Sequence, residues 1–166
     1  MHYDTFYDII RVEEKKMEKE KYMKIALKEA EKAKQKMEVP IGAVIVSEGK
    51  IIARAHNLRE TKNNSLCHAE IIAINNACKK KQNFRLNDCE MYVTLEPCTM
   101  CAGAIIQSRI KKVYIGALEP KYGAVCSKSE MFSLPSNHKV EYETGVLKKE
   151  CENIIKEFFK ELRKNK

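Results

Sequence analysis

The chain has 166 residues, of which 44% are hydrophobic, and it carries a net charge of +8. No apolar run approaches the roughly 18 residues that a membrane-spanning helix needs, and the first residues lack the basic and apolar segments of a secretion signal. We therefore expect a cytoplasmic protein of one domain with no membrane association, whose basic charge suits a polyanionic partner without establishing one.

The first half of the chain predicts a helix followed by a β-hairpin. Two short apolar runs between residues 41 and 55, separated by a Ser-Glu-Gly-Lys turn, predict the hairpin. Residues 1–16 show no clear periodicity, so we expect a loosely packed N-terminal extension before a single domain of residues 17–166. The helix, which ends before Val39-Pro40, is predicted from apolar or small residues that recur at positions 23, 26, 27, 30, 33 and 37.

The second half predicts further strands and helices. A helical pattern spans 68–81, strands are predicted at 90–95 and 112–117, and a short strand at 140–144 precedes a closing helix. From residue 90 onward, the order strand, helix, strand, helix, strand favours parallel pairing with helices on both faces of the sheet. We therefore predict an α/β fold, namely a three-layer α/β/α sandwich with a mixed five-stranded sheet.

Two short motifs supply the residues of a metal site. His68-Ala69-Glu70 stands at the start of one predicted helix, and Pro97-Cys98-Thr99-Met100-Cys101 opens the next. His68, Cys98 and Cys101 are ligands that zinc prefers, and three protein ligands leave a fourth position for water, as in catalytic zinc sites. Glu70 is then free for other work. Residues two apart diverge by about 200° on a regular helix, so His68 and Glu70 should straddle a junction between loop and helix.

The seven cysteines are an odd number in a chain well above mini-protein size, which favours reduced thiols over a disulfide framework. Cys78, Cys89 and Cys151 lie on or beside apolar patterns and are interpreted as core residues. Cys67 directly precedes His68, but a fourth protein ligand would close the metal site, so Cys67 is not assigned as a ligand. Cys126 has no assigned role.

The combination of His-x-Glu with Pro-Cys-x-x-Cys is typical of zinc-dependent nucleobase deaminases. Beyond it, the chain closely resembles bacterial tRNA-specific adenosine deaminases, which make inosine at a tRNA wobble position, and the resemblance runs from about Tyr22 to Arg163. It implies a cytidine deaminase-like fold. The motifs that carry it include Glu38-Val-Pro-Ile-Gly-Ala43, Asn83-Phe-Arg-Leu86, Tyr92-Val-Thr-Leu-Glu-Pro-Cys98, Met100-Cys-Ala-Gly-Ala104, Ser108-Arg-Ile110 and Phe158-Phe159.

The resemblance implies roles for individual residues. One Zn²⁺ per subunit would be bound by His68, Cys98 and Cys101. Hydroxide would attack C6 of adenine, while Glu70 takes a proton from the bound water and delivers it to the purine ring and then to the leaving ammonia. For Asn57 the alternative is a side chain that caps its own loop, and for Phe159 partial burial against the sheet. The residues expected to contact the substrate are Asn57, Glu38, Val39, Pro40, Ala69, Glu119, Lys121 and Phe159.

The resemblance also implies partners. The substrate would be the anticodon loop of a tRNA, and the resemblance points to tRNA-Arg. Such a loop suits the site because single-stranded bases can be splayed into a pocket while lysines hold the flanking phosphates. Family members are homodimers, and we expect the same here. The best phosphate-binding candidates are the cluster of Lys79, Lys80, Lys81 and Arg85 and the five basic residues between 107 and 128.

The chain departs from the family at two places, and two other functions stay open. Asn64-Ser65-Leu66-Cys67 stands where the family commonly has Asp-Pro-Thr-Ala, and Glu119 replaces an Asp near the substrate ribose; zinc binding should survive both changes. The first alternative is a free nucleobase deaminase acting on guanine or cytosine, which turnover without RNA would reveal. The second is a noncatalytic, zinc-stabilised RNA-binding subunit, which a fourth protein ligand on the metal would favour.

Overall fold

The computed structural model describes the backbone of residues 3–164 and the side chains of residues 7–164. Within these residues no helix combines the length and apolar character that crossing a membrane requires. A short 3-10 helix, Met131–Ser133, precedes the last strand. The other elements are α1 (Tyr3–Gln35), β1 (Gly42–Ser47), β2 (Lys50–His56), α2 (Ala69–Lys81), β3 (Cys89–Leu95), α3 (Thr99–Gln107), β4 (Lys112–Ala117), β5 (Glu141–Thr144) and α4 (Lys148–Lys164).

The strands form one mixed sheet in the order β2-β1-β3-β4-β5. Strand β1 pairs antiparallel with both β2 and β3, whereas β3, β4 and β5 pair in parallel. The turn between β1 and β2 contains only Glu48 and Gly49, which both have positive φ angles, of 50° and 71°, as tight hairpin turns require. The mixed sheet, and the parallel pairing after residue 90, confirm the prediction from sequence.

Helices cover both faces of the sheet and create two cores. Alternate residues of β1 point to opposite faces: Ala43 and Ile45 pack in the core beneath α2 and α3, while Val44 and Val46 pack in the core beneath α1 and α4. All six residues of β1 are buried because the strand lies between two others and under two layers of helix. The fold is therefore the predicted α/β/α sandwich.

Two predictions about helices were wrong. The first helix begins at Tyr3 rather than near residue 23, because its early part consists of good helix formers such as Glu, Lys and Met, and the exposed residues 7–18 need no apolar stripe. Between β4 and β5 the described chain contains no α-helix, only the 3-10 turn at Met131–Ser133. Pro120 and Pro135 interrupt that connection, since proline cannot donate the backbone hydrogen bond that a helix interior needs.

The helices on one face lie very close to the sheet at two glycines. A Cβ atom added to Gly42 would overlap the carbonyl oxygen of Ala26 in α1. One added to Gly116 would overlap the Cys151 side chain in α4. Glycine is required here for close approach, and the resulting rigid sheet supports the loops at its edge.

Candidate active site

The potential metal ligands come from the starts of α2 and α3. His68 directly precedes α2 and Cys98 directly precedes α3, and both have extended backbone conformation with φ of −74°. Cys101 lies in the first turn of α3 and is fully buried. Strand β3 ends three residues before Cys98, so this loop follows the carboxyl end of a parallel strand, the edge of an α/β sheet where ligands bind. His68 and Glu70 straddle the junction of loop and helix, as the sequence predicts.

The three side chains have the spacing of a zinc site. Nδ1 of His68 lies 3.7 Å from Sγ of Cys98 and 3.6 Å from Sγ of Cys101. With ordinary zinc bond lengths and tetrahedral angles, nitrogen and sulfur ligands stand roughly 3.6 Å apart, so the donors present fit zinc. Among the described side chains this is the one group of three or more His, Cys, Asp or Glu suited to a metal, and Cys67 is not in it. Three ligands leave a fourth position open.

The charges in the triad also favour a divalent cation. The hydrogen bond from Cys101 lowers the pKa of Cys98 to about 4, and His68 adds to this effect while burial opposes it. The contact with Cys98, together with burial, raises the pKa of Cys101, and the hydrogen bond with Cys98 raises the pKa of His68. Two adjacent sulfurs whose pKa values move in opposite directions are a pair of thiol groups that a divalent cation can bind together as thiolates.

Glu70 is buried beside this triad. Its side chain is only 3% exposed, and its Oε2 atom has no hydrogen-bond partner among the described residues. Burial raises the pKa of Glu70, because the charged form loses its hydration. A buried carboxyl group with a free oxygen and a raised pKa is suited to accepting and returning a proton.

A cavity of about 410 Å³ brings Glu70 together with two of the three potential ligands, His68 and Cys98. This volume lies in the range of pockets that enclose small organic molecules. A larger groove, of about 680 Å³, runs beside β5 and contains none of these residues, so size alone does not identify the site. The wall of the smaller cavity is formed by Val39, Ile41, Asn57, Arg59, His68, Glu70, Leu95, Glu96, Cys98, Glu119, Tyr122, Ile155 and Phe159.

Only some of the residues that were expected to contact the substrate lie in the cavity wall. Pro40 and Ala69 are buried and do not form part of the cavity wall. Lys121 is exposed in an adjoining groove that shares Tyr122 with the cavity. Those that do line the cavity are Val39, Asn57, Glu119 and Phe159.

Glu38 faces the protein interior rather than the cavity. It is fully buried, and its carboxylate accepts hydrogen bonds from the backbone N–H groups of Glu60 at 3.2 Å and Thr61 at 2.6 Å. Burial acts to raise the pKa of Glu38, but these hydrogen bonds outweigh it and the net shift is downward. Glu38 thus holds the loop after β2, which contributes Asn57 and Arg59 to the wall.

Asn57 both lines the cavity and caps its loop, and Phe159 lines the cavity while being partly buried. Asn57 lines the cavity and also caps its loop, because Nδ2 donates to the carbonyl of Val39 at 3.3 Å and Oδ1 accepts from the backbone N–H of Arg59 at 3.4 Å. Phe159 packs edge-on against Phe158, with 5.3 Å between ring centroids, but remains 38% exposed. An aromatic face is therefore available at the cavity mouth.

Three residues of the cavity wall were not predicted as site residues from the sequence: Arg59, Tyr122 and Glu96. Tyr122 is 72% exposed beside Lys121, and an aromatic residue within a basic loop was the available signal. Arg59 gave no signal, because its polar loop has no periodicity. Glu96 is a second buried carboxylate in the wall, but both its oxygens accept hydrogen bonds from the loop of residues 119–127.

The basic cluster of residues 79–85 lies away from the cavity. Lys79, Lys80 and Lys81 form the last turn of α2, about 15 Å along the helix from Glu70. Lys81 forms an ion pair with Asp88 at 2.5 Å, and Arg85 stacks on the exposed ring of Phe84. A phosphate bound by this cluster would therefore belong to a part of the polyanion that is remote from the cavity.

Comparisons with known proteins identify the family of this chain. Residues 17–163 match the MafB19-like deaminase family. The tRNA-specific adenosine deaminase of Bacillus subtilis (strain 168) is 54% identical over 150 residues, which cover 89% of this chain and 92% of that protein. A guanine deaminase structure from Bacillus subtilis is more distant, at 31% identity and a TM-score of 0.59, covering 87% of this chain and 93% of that one.

A solved structure from work on A-to-I editing by tRNA:A34 deaminases at the wobble position of transfer RNA is more similar. It has a TM-score of 0.78 and 45% sequence identity, and the match covers 80% of this chain and 97% of that one. The family match, over residues 17–163, includes the motifs that form the cavity. The chain therefore belongs to the MafB19-like deaminases and, among them, to the family of bacterial tRNA-specific adenosine deaminases.

Proposed function

We propose that this protein hydrolyses adenosine to inosine at the wobble position of tRNA and releases ammonia. The observation that carries the proposal is the position of Glu70, whose free Oε2 atom shares one cavity with the potential ligands His68 and Cys98. The similarity to tRNA-specific adenosine deaminases supports adenosine in tRNA as the substrate.

Glu70 would carry the proton through the reaction. Zinc, when held by His68, Cys98 and Cys101, supplies a water molecule whose pKa is lowered to roughly 7. Glu70 would accept a proton from the attacking water as the water oxygen bonds to C6 of adenine, and would pass that proton to a ring nitrogen. Glu70 would then take the remaining proton from the oxygen at C6 and give it to the amino group, so that the C6–N bond breaks, ammonia leaves and a C6 carbonyl forms. Water is added, ammonia is lost, and the carboxylate returns to its initial state.

The rest of the wall is suited to a nucleotide in a flexible RNA loop. Asn57 is held by Val39 and Arg59 and can hydrogen-bond a purine or ribose that enters the cavity. Tyr122 and Phe159 present exposed aromatic faces at the mouth, where unpaired bases can stack. Lys121 lies next to them and can neutralise a flanking phosphate.

The two alternative functions make different demands on the site. A noncatalytic zinc-stabilised subunit would be favoured by a closed metal site, but the described residues supply no fourth ligand at the triad. A free guanine or cytosine deaminase needs the same triad and carboxylate, so geometry does not separate it from an RNA deaminase. The higher identity to tRNA-specific adenosine deaminases than to guanine deaminase favours RNA.

The test is inosine formation by purified protein of measured zinc content. The substrate is an anticodon stem-loop of tRNA-Arg with adenosine at the wobble position, and the matched control stem-loop has its only loop adenosine at another position. Free adenosine, guanine and cytosine are incubated in parallel. Conversion of the wobble adenosine alone supports the proposal, whereas turnover of a free base without conversion of RNA would replace it with nucleobase metabolism.

We further propose one zinc ion per subunit, a cytoplasmic homodimer, and an N-terminal extension of residues 1–16 outside a deaminase domain of residues 17–166. The exposed side chains of residues 7–16 support the last of these, although α1 itself runs without a break across residue 17. Metal analysis tests the zinc content per subunit, and light scattering tests the dimer. Limited proteolysis tests the extension, which should be cleaved before the domain.

A further inference from the structure

We infer that Glu96 is a positioning residue that fixes the loop of residues 119–127 as one wall of the nucleotide cavity. RNA binding should then depend on Glu96 while the chemical step does not. This inference rests on the proposed function, because it takes RNA as the substrate. It gives a role to a buried side chain that takes no part in the deamination chemistry.

Five donors converge on the Glu96 carboxylate. Oε1 accepts hydrogen bonds from the backbone N–H groups of Val125 at 3.1 Å, Cys126 at 2.8 Å and Ser127 at 3.0 Å. Oε2 accepts from the backbone N–H of Glu119 at 3.0 Å and from the Ser127 hydroxyl. The side chain is 3% exposed, so these bonds are shielded from water.

Because its carboxylate is fully hydrogen-bonded, Glu96 is suited to holding the loop and not to proton transfer. A carboxylate has about four lone-pair positions, so five donors leave none of them free. Glu70 differs in the same cavity because its Oε2 atom has no partner among the described residues. The two glutamates of this wall therefore differ: Glu70 has a free oxygen, whereas both oxygens of Glu96 are hydrogen-bonded.

The bonds to Glu96 close the 119–127 loop on itself. Glu119 lies at one end of the loop and residues 125–127 at the other, and all of them bind the same carboxylate. Between them, Pro120, Lys121 and Tyr122 are exposed, whereas Gly123 and Ala124 are buried. Gly123 packs directly on Glu96, since an added Cβ atom would overlap the carboxylate. The positions of Glu119 and Tyr122 in the cavity wall therefore depend on Glu96.

A glutamine at this position keeps the shape but not the hydrogen bonds. Its amide has one oxygen, and its NH2 group would face donors rather than acceptors. Some of the loop N–H groups would lose their partner and the loop would become more mobile. RNA would then have to order the wall when it binds, which weakens affinity without changing the bound reaction centre.

The first experiment compares Glu96→Gln with Glu13→Gln, a control that removes one negative charge from an exposed position on α1. Both are made in a Glu70→Ala background, so that the affinity for the anticodon stem-loop is measured without turnover. Charge loss alone would leave RNA binding unchanged or slightly tighter. We expect Glu96→Gln to raise Kd by about tenfold, with an unchanged zinc content.

Turnover in the Glu70-containing protein provides the second readout. We expect Glu96→Gln to raise KM by a similar factor while kcat at saturating RNA stays within about threefold of the wild type. A fall in kcat with unchanged KM would overturn the inference. Wild-type affinity in the Glu96→Gln protein would also overturn it, provided that the wild type converts the stem-loop. Failure of the wild type to convert any stem-loop would instead count against the proposed function.

Hydrogen exchange tests the loop without reference to activity. The amides of Val125, Cys126 and Ser127 should exchange faster in Glu96→Gln than in Glu13→Gln, and equal protection would overturn the inference. If Glu96→Gln fails to fold or loses zinc, the milder Ser127→Ala decides. It removes one donor, so we expect faster exchange in the loop and an increase in Kd of about threefold. Wild-type values in both measurements would overturn the inference.

Discussion

At the scale of single residues, the environment of each carboxylate decides what it can do. Glu70 and Glu96 are both buried in the cavity wall. Burial raises the pKa of Glu70, which has a free oxygen, and thereby suits it to proton exchange with a bound substrate. Burial acts in the same direction on Glu96, but the hydrogen bonds from Ser127 and its neighbours outweigh it and lower the pKa. Identical side chains therefore have different roles.

The first prediction concerns Glu70. Glu70→Gln should lower kcat for the wobble adenosine by about a thousandfold, because an amide of the same size cannot shuttle the proton. Zinc content and affinity for the stem-loop should remain close to those of the wild type, since Glu70 is not among the potential ligands. Single-turnover assays and metal analysis provide the measurements. Glu13→Gln is the matched control, and substantial activity in Glu70→Gln would contradict the assigned role.

At the scale of elements, the site depends on close contact between helices and sheet. Helix α1 lies so near β1 that no side-chain atom fits at Gly42, and α4 approaches β4 in the same way at Gly116. Interiors with this density transmit any added volume to the surrounding backbone. The loops that carry the potential ligands are thus attached to a sheet that has little freedom to move.

The second prediction uses two glycines. Gly42→Ala should lower the free energy of unfolding by roughly 2 kcal/mol, because the added methyl group overlaps the backbone of α1. Gly103→Ala, within α3, is the control: a Cβ atom there meets nothing within 4 Å, and alanine favours a helix by about 0.5–1 kcal/mol. Urea unfolding of both variants measures the difference. Equal stability of the two would show that α1 is not tightly packed on the sheet.

The third prediction concerns the contact between the end of α2 and the residue before β3. Hydrogen bonds from Lys81 and then Ser47 lower the pKa of Asp88 from 3.8 to about 2. Because the folded pKa lies below the unfolded value, the contribution of Asp88 to stability is complete above about pH 4 and is lost as the pH falls towards 2.

The stability difference between the wild type and Asp88→Asn should therefore be constant from about pH 5 to 7 and shrink between pH 4 and 2. It should be modest, because the Asp88 side chain is 44% exposed and solvent screens the ion pair. Urea unfolding of zinc-free protein at several pH values makes the measurement without metal release. A difference that grows on acidification would contradict the ion pair.

At the scale of the whole molecule, the net charge of +8 adds long-range attraction for RNA to the local contacts of the cavity. The basic groups are spread widely, with Lys121 beside the cavity and Lys79 and Lys80 at the far end of α2. An anticodon stem-loop that places one base in the cavity can therefore meet further cations along its backbone. Affinity should be shared between the cavity and this surface.

The fourth prediction is a steep salt dependence of RNA binding. If four phosphates are contacted, raising the salt concentration from about 50 to 200 mM should weaken the affinity for the stem-loop roughly 50-fold, through the loss of counterion release. The rate at saturating RNA should change little, because saturation removes its dependence on affinity. Fluorescence anisotropy over a salt series, together with kcat, tests this. An affinity that is independent of salt would mean that the basic surface is not used.

Much of this molecule could be predicted because the deciding signals are local. The period of apolar residues predicts the helices and strands from residue 23 onward, and the spacing of His68, Cys98 and Cys101 predicts a metal site. The early part of α1 was missed because a solvent-exposed helix needs no apolar stripe. The absent helix between β4 and β5 was predicted from strand order, although a long loop held by Glu96 makes the connection instead.

By itself, the sequence predicted the chemistry proposed for the site, namely its ligand types and the acidic residue of the His-x-Glu motif, and it determined the fold that brings these residues to one sheet edge. Only the tertiary structure decided which buried carboxylates are free, that Glu38 turns inward, and that Tyr122 and Ile155 complete the wall. The physical reason is distance along the chain. Ligand identity depends on the residues themselves, whereas hydrogen-bond saturation and cavity shape depend on segments that meet only after folding.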